Sequence, residues 1–163
     1  MAASAVVTGI CLALISAQPS VDAEIVPLYA AQTPGAAFLK TSRFTLAWTH
    51  SIEKQRWEED YDLVALKREK GSNRLWLRPV EARIKGSGAG MEPPEGSRLV
   101  NGWFVYRPTT APLASLRLSR SFFTDDYSLC IDGHCTSMAN VLPSDGQTTL
   151  LWGCQKNSPL GPP

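Results

Sequence analysis

The sequence predicts an all-β domain, an antiparallel sandwich or barrel of about eight to ten short strands. Three observations predict it. Apolar and polar residues alternate over several stretches, the period of two expected when a strand buries one face. Asn101-Gly102 and Asp132-Gly133, both signals for tight two-residue hairpin turns, sit between such stretches. No segment repeats apolar residues at helical spacing over three turns. With 163 residues, 44% hydrophobic and 19% charged, the chain has the length and composition of one domain with a real core. A net charge of +1 and the absence of long like-charge runs argue against a nucleic-acid partner or an acidic tail.

Residues 1–23 hold an uncharged apolar stretch, Ala5 to Ala17, followed by Ser20-Val21-Asp22-Ala23, a spacing of small residues that a signal peptidase reads. They are expected to be a secretory signal, which places the chain in the periplasm or another extracytoplasmic space. The missing Lys or Arg ahead of the apolar core departs from the usual pattern, and a buried N-terminal strand or helix is the competing reading. The run is shorter than the roughly 20 residues that a bilayer requires. The β domain then spans residues 24–154, and the Pro- and Gly-rich tail 155–163 is expected to be disordered.

Glu24 to Tyr29 reads as a short first strand, with Pro27 favouring an edge, and residues 30–42 as a loop. Phe44, Leu46, Trp48 and His50 then alternate with Thr45, Ala47, Thr49 and Ser51. After a turn, the returning strand puts Trp57, Glu59, Tyr61 and Leu63 on one face and Glu58, Asp60, Asp62 and Val64 on the other. Lys67 to Asn73 is a polar turn. Leu75 to Lys85 is a strand in which Pro79 requires a bulge or an exposed edge. Residues 97–107 form a hairpin about Asn101-Gly102. Leu113 to Ser121, Tyr127 to Ile131, His134 to Met138 and Thr148 to Cys154 complete the strands.

Removal of residues 1–23 leaves three cysteines. Cys130 and Cys135 bracket Ile131-Asp132-Gly133-His134, and the hairpin register sets them opposite each other at a separation suited to a disulfide. The chain-entropy estimate for so short a loop is about 2 kcal/mol. A metal pair with His134 competes but lacks a nearby fourth ligand. Cys154 is left as a buried free thiol or an intermolecular partner.

The densest chemistry lies in Trp48 to Tyr61, WTHSIEKQRWEEDY. His50 and Glu53 sit at a strand end, where His50 can act as a base, a metal ligand or a donor, and Glu53 can orient it. Glu59 is the acid of this stretch that points inward, where a cation such as Arg83 or Lys85 would have to meet it. Gly86, Gly88 and Gly90, with Ser87, tolerate positive φ and expose backbone N–H groups as an anion nest; Arg83 and Lys85 add positive charge beside them. Trp48, Trp57 and Trp76 are either a ring-stacking platform or core. Together these residues predict a ligand site for a small anionic solute, with no cofactor and no metal required. The alternatives are a small acid/base or metal-assisted enzyme using His50 and Glu53, and a purely structural accessory subunit. No G-x-S-x-G elbow is present.

Trp48-Thr49-His50-Ser51-Ile52-Glu53-Lys54 with Trp57-Glu58-Glu59, then Arg83, Lys85 to Met91 and Gly102-Trp103, resembles the bacterial family named domain of unknown function 1850 over roughly residues 25–143. Cys130 to Cys135 is similar to a C-x-D-G-x-C element of some members. The resemblance implies a small exported protein associated with tripartite ATP-independent periplasmic (TRAP) transporters that use the TAXI type of solute receptor. It therefore implies an accessory role in solute uptake, with the permease or the receptor as partner, and it carries no catalytic residues over.

Overall fold

Among the described residues, alternation in the sequence becomes one antiparallel sheet of eleven strands, curled into a half-barrel. The computed structural model describes residues 6–15, 35–52, 54–66, 74–86 and 94–156. In chain order the elements are β1 (Thr8–Ile15), β2 (Ala36–Lys40), β3 (Arg43–Thr49), β4 (Arg56–Ala65), β5 (Leu75–Lys85), β6 (Arg98–Val100), β7 (Trp103–Tyr106), β8 (Ser115–Ser119), β9 (Ser128–Ile131), β10 (His134–Ser137), the single-turn helix α1 (Met138–Val141) and β11 (Thr148–Gln155). The main path runs β10-β9-β3-β4-β5-β11-β1-β2. The β6–β7 hairpin joins β5, and β8 joins β11.

One face of this sheet, the inner face, buries the main hydrophobic cluster, which includes Ile10, Leu12, Phe44, Leu46, Tyr61, Leu77, Leu129 and Leu151. On β1 and β11 the alternate residues Cys11, Ala13, Leu150, Trp152 and Cys154 form a second cluster on the opposite face. These two strands are buried on both sides, which is why they read as continuous apolar runs without alternation. Truncating a core leucine such as Leu12 or Leu151 to Ala costs about 2–5 kcal/mol through lost burial and the cavity left behind.

The apolar run expected to be a secretory signal thus places Thr8–Ile15 within the domain. Its residues pair over their full length with β11, from Thr8↔Gln155 to Ile15↔Thr148, and Gly9 to Ala13 pair with β2. The composition that suits a translocation signal also suits a strand without a solvent face, so the same residues satisfy both patterns. Cys154 is neither a free thiol nor an intermolecular partner: it is bonded to Cys11, 143 residues away, between adjacent buried strands. In the chain-entropy model a loop of that length contributes about 5 kcal/mol, against about 2 kcal/mol for the Cys130–Cys135 hairpin loop. That second disulfide forms as the spacing predicts, across the β9–β10 pair.

Several local expectations are met for the stated reasons. Asn101-Gly102 and Asp132-Gly133 both adopt positive φ, as tight hairpin turns require. Pro79 lies beside the register shift where Asp60 faces Glu81 but Tyr61 faces Pro79, so the bulge relieves its missing donor. One expectation fails: residues 36–40, read as loop, form β2, because pairing with β1 outweighs a weak local pattern. The strand expected over Glu24 to Tyr29 and residues 157–163 of the expected tail lie outside the described residues; Gln155, expected in that disordered tail, instead ends β11 because it pairs with Thr8 of β1. Gly153 makes the single β11–β5 pair, with Leu75, and an added Cβ there would come within 2.8 Å of the Leu75 Cβ. A side chain at 153 would therefore force the two halves of the sheet apart.

Candidate functional site

The register of β3, β4, β5 and β7 sorts the charged stretch onto two faces. Rows of partners run Trp48↔Trp57↔Ile84↔Phe104 and Leu46↔Glu59↔Ala82↔Tyr106 on the inner face, and Thr45↔Asp60↔Glu81 and Ala47↔Glu58↔Arg83↔Val105 on the outer face. Neighbouring residues of β4 thus meet different environments.

On the outer face the charges neutralise one another. Arg83 donates through both terminal nitrogens to Asp60 at 2.9 Å, and also to Glu58 at 3.1 Å and Glu81 at 3.0 Å. Thr45 donates to Asp60 at 2.6 Å. Arg56 pairs with Glu58 at 2.8 Å, and Arg78 with Asp62 at 2.7 Å. Burial works to raise the Asp60 carboxyl, but the Arg83 and Thr45 hydrogen bonds outweigh it and hold the group below its ordinary 3.8. The Asp60 hydrogen bond in turn pushes the Arg83 guanidinium further up, against burial. Arg83 is committed to three carboxylates, which leaves it structural.

On the inner face, above the core, the rings gather at the end where β3, β5 and β9 meet their loops. Trp48 stacks on Trp57 with centroids 5.8 Å apart, His50 stacks on the same Trp57 at 5.7 Å, and Tyr127 tilts against Trp48 at 6.0 Å. Glu59 lies in the adjoining row and accepts a short hydrogen bond from the Tyr61 hydroxyl. Burial, followed by this bond, pushes the Tyr61 phenol well up; burial and then the Glu59 charge raise Tyr106 as well. Tyr127 is raised by burial, by Asp126 and by Glu59. The negative charge of Glu59 is therefore felt by three tyrosines. Trp48, His50, Trp57, Glu59, Tyr106 and Tyr127 are all partly exposed, so solvent reaches this end of the face. The Trp57 Nε1 is buried without a hydrogen-bond partner, a donor left unsatisfied at the same place.

Of the residues predicted from the sequence, His50 and Glu59 share this inner face with Trp48, Trp57 and Tyr61, as the alternation requires. Arg83 and Lys85 do not join them. Both project to the outer face, where the Lys85 ammonium sits 5.0 Å from the Trp103 ring centroid. The expected Glu59–Arg83 or Glu59–Lys85 pairing is thereby corrected: strand parity puts residues 83 and 85 on the side opposite Glu59, and a tyrosine hydroxyl takes the cation's place. Gly86 has positive φ and donates to the Gly102 carbonyl at 2.9 Å. A Cβ built on it would lie 3.4 Å from the Gln55 Oε1, so the 50–55 turn and the start of the glycine-rich loop are neighbours. Glu53, Ser87, Gly88 and Gly90 lie outside the described residues. Tyr106 and Tyr127 were not anticipated. The hairpin about Asn101-Gly102 marks Tyr106 only as the end of a strand, and the β5–β7 pairing is what sets it beside Ala82; for Tyr127 no signal was visible.

One further ionic cluster is purely structural. Arg120, 2% exposed, donates to Asp126 at 2.8 and 2.6 Å, to the Leu142 carbonyl at 2.8 Å and to Thr149 at 3.1 Å, tying the β8–β9 loop to α1 and β11. Among the described residues, no group of three or more His, Cys, Asp or Glu could hold a metal ion, and no helix is long and apolar enough to cross a membrane. Two disulfides are the mark of a chain that folds in an oxidising, extracytoplasmic environment.

Comparison with known proteins finds no curated protein and no solved structure that matches the chain. Residues 44–138 match the family described as "Domain of unknown function (DUF1850)". That match takes in β3 to β10, with the charged outer face and the ring-lined inner face, and extends over more than half of the sequence; the chain belongs to the DUF1850 family.

Proposed function

We propose that this protein is a periplasmic accessory protein of a TAXI-type TRAP solute-uptake system, and that its ligand-facing surface is the inner-face end of β3, β4 and β7. The observation that carries the binding role is Glu59: a carboxylate on the core side of a sheet, partly exposed among aromatic rings, at the loop-bearing end of rigid strands. Sites that hold small solutes combine such apolar walls with a few oriented polar groups. The two disulfides support a location outside the cytoplasm. In this reading the exported protein keeps β1, because cleavage after residue 23 would remove a strand of the sheet together with Cys11.

The anion originally expected loses its guanidinium, since Arg83 is spent on Asp60, Glu58 and Glu81. His50 and Glu59 remain as the polar groups of the surface. A thermal-shift screen of small solutes on the purified protein tests this reading, repeated with Trp57→Leu. A solute that raises the melting temperature of the wild type but not of the variant is expected. Stabilisation that Trp57→Leu leaves untouched would move binding off this face. Pull-down of the TAXI receptor or the permease by the exported protein tests the partner half of the proposal, and its failure in both directions of tagging would remove it.

A further inference from the structure

Every described carboxylate of β4 and β5 except one is ion-paired. Glu58 meets Arg56 and Arg83, Asp60 meets Arg83 and Arg43, Asp62 meets Arg43 and Arg78, and Glu81 meets Arg83. Glu59 makes no ion pair among the described residues. It accepts from the Tyr61 hydroxyl, Tyr106 stands beyond Ala82 in the same cross-strand row, and Trp48 and Trp57 stack in the next row with His50 on Trp57 and Tyr127 on Trp48. A partly exposed carboxylate bordered by aromatic residues has an unmet attraction for a cation. Aromatic faces are themselves attractive to a cation through their quadrupoles, tryptophan most of all. Carboxylate and rings thus ask for the same thing: positive charge that is weakly hydrated and bulky enough to touch several rings.

Resting on the binding surface proposed above, we infer that its ligand is a small organic ammonium cation, held by Glu59 and the Trp48, Trp57, Tyr106 and Tyr127 rings. A quaternary or alkylated ammonium fits better than a bare metal ion, because the face offers one charged oxygen donor group and several π surfaces instead of a shell of oxygens. The ligand class is opposite in sign to the one that the string of Arg83, Lys85 and glycines indicates in the sequence. The sign changes because the sheet turns that string's cations to its other face.

Calorimetric titration of the full-length protein with choline, with its neutral isostere 3,3-dimethylbutan-1-ol and with succinate tests the inference. Choline is expected to bind, and the neutral isostere to bind at least about tenfold more weakly. Glu59→Gln, whose amide oxygen still accepts from Tyr61, is expected to weaken choline by about tenfold or more. The choline-to-isostere ratio in the wild type reads the charge without any variant, so the inference is testable even if Glu59→Gln folds poorly. Equal binding of choline and its isostere overturns the inference. So does binding of succinate without choline, which would leave the solute-binding surface in place with an anionic ligand. Silence to all three probes, with no solute found in the wider screen, overturns both.

Discussion

The two faces of β4 both carry carboxylates, and bring them to opposite ends. On the outer face Glu58, Asp60 and Asp62 are met by Arg43, Arg56, Arg78 and Arg83, so that charge is consumed within the protein. On the inner face Glu59, one residue from two of those acids, meets the Tyr61 phenol and no cation among the described residues. The difference teaches that a run of acids along a strand is two separate populations, and that strand parity, more than charge density, decides which of them is left with chemistry to offer. A paired network holds a sheet together; an acid without a cation at a partly exposed end of the sheet is the place to test for a ligand.

The comparison breaks first at Arg83. Arg83→Met leaves Glu58, Asp60 and Glu81 facing one another on a half-buried surface, and a loss of about 3 kcal/mol in urea unfolding is expected, with choline affinity unchanged. A smaller cost, about 2 kcal/mol, is expected for Asp60→Asn. That variant also carries a pH signature. Because the folded-state Asp60 carboxyl is held below its ordinary 3.8, its stabilisation is present above that value and is lost as the pH falls through the lower folded value. Wild-type stability should therefore fall more steeply than that of Asp60→Asn below about pH 4, as followed by circular dichroism.

Inner-face changes should do less to stability. Tyr61→Phe removes one hydrogen bond and is expected to cost about 1 kcal/mol. The Tyr61 phenol is raised, so its contribution is complete below its ordinary 10.0 and is lost as the pH rises toward the folded value. Ultraviolet titration of the wild type should show this tyrosine ionising only when the protein unfolds, and Tyr61→Phe should remove that late step. The smallest effect is expected for Glu59→Gln, less than about 1 kcal/mol in urea, because the amide retains the Tyr61 bond.

Much of this arrangement was legible because hairpin parity is a local property. The alternation from Phe44 to Leu63 placed Trp48, Trp57, Glu59 and Tyr61 together, and Asp132-Gly133 fixed the Cys130–Cys135 register. What was not legible depends on contacts distant in the chain. Arg83 could be paired with Glu58 only once the β4–β5 register was known, and Pro79 with its bulge shifts that register. Cys11 and Cys154 are joined by the packing of β1 on β11, for which a run of apolar residues near the N-terminus gives no specific sign. Tyr127 reaches Trp48 because β9 pairs with β3 across eighty residues of chain, roughly half its length.

The most direct test follows the indole N–H signals of the 5 tryptophans by proton–nitrogen NMR while choline is added to the wild-type protein. Trp48 and Trp57 lie on the inner face, Trp76 and Trp103 on the outer face, and Trp152 in the second core cluster. The signals of Trp48 and Trp57 should shift together in a saturable way while those of Trp76, Trp103 and Trp152 stay fixed. Movement of the Trp103 or Trp76 signals with Trp48 and Trp57 unchanged would place the ligand on the paired outer face and contradict the division of labour between the two faces.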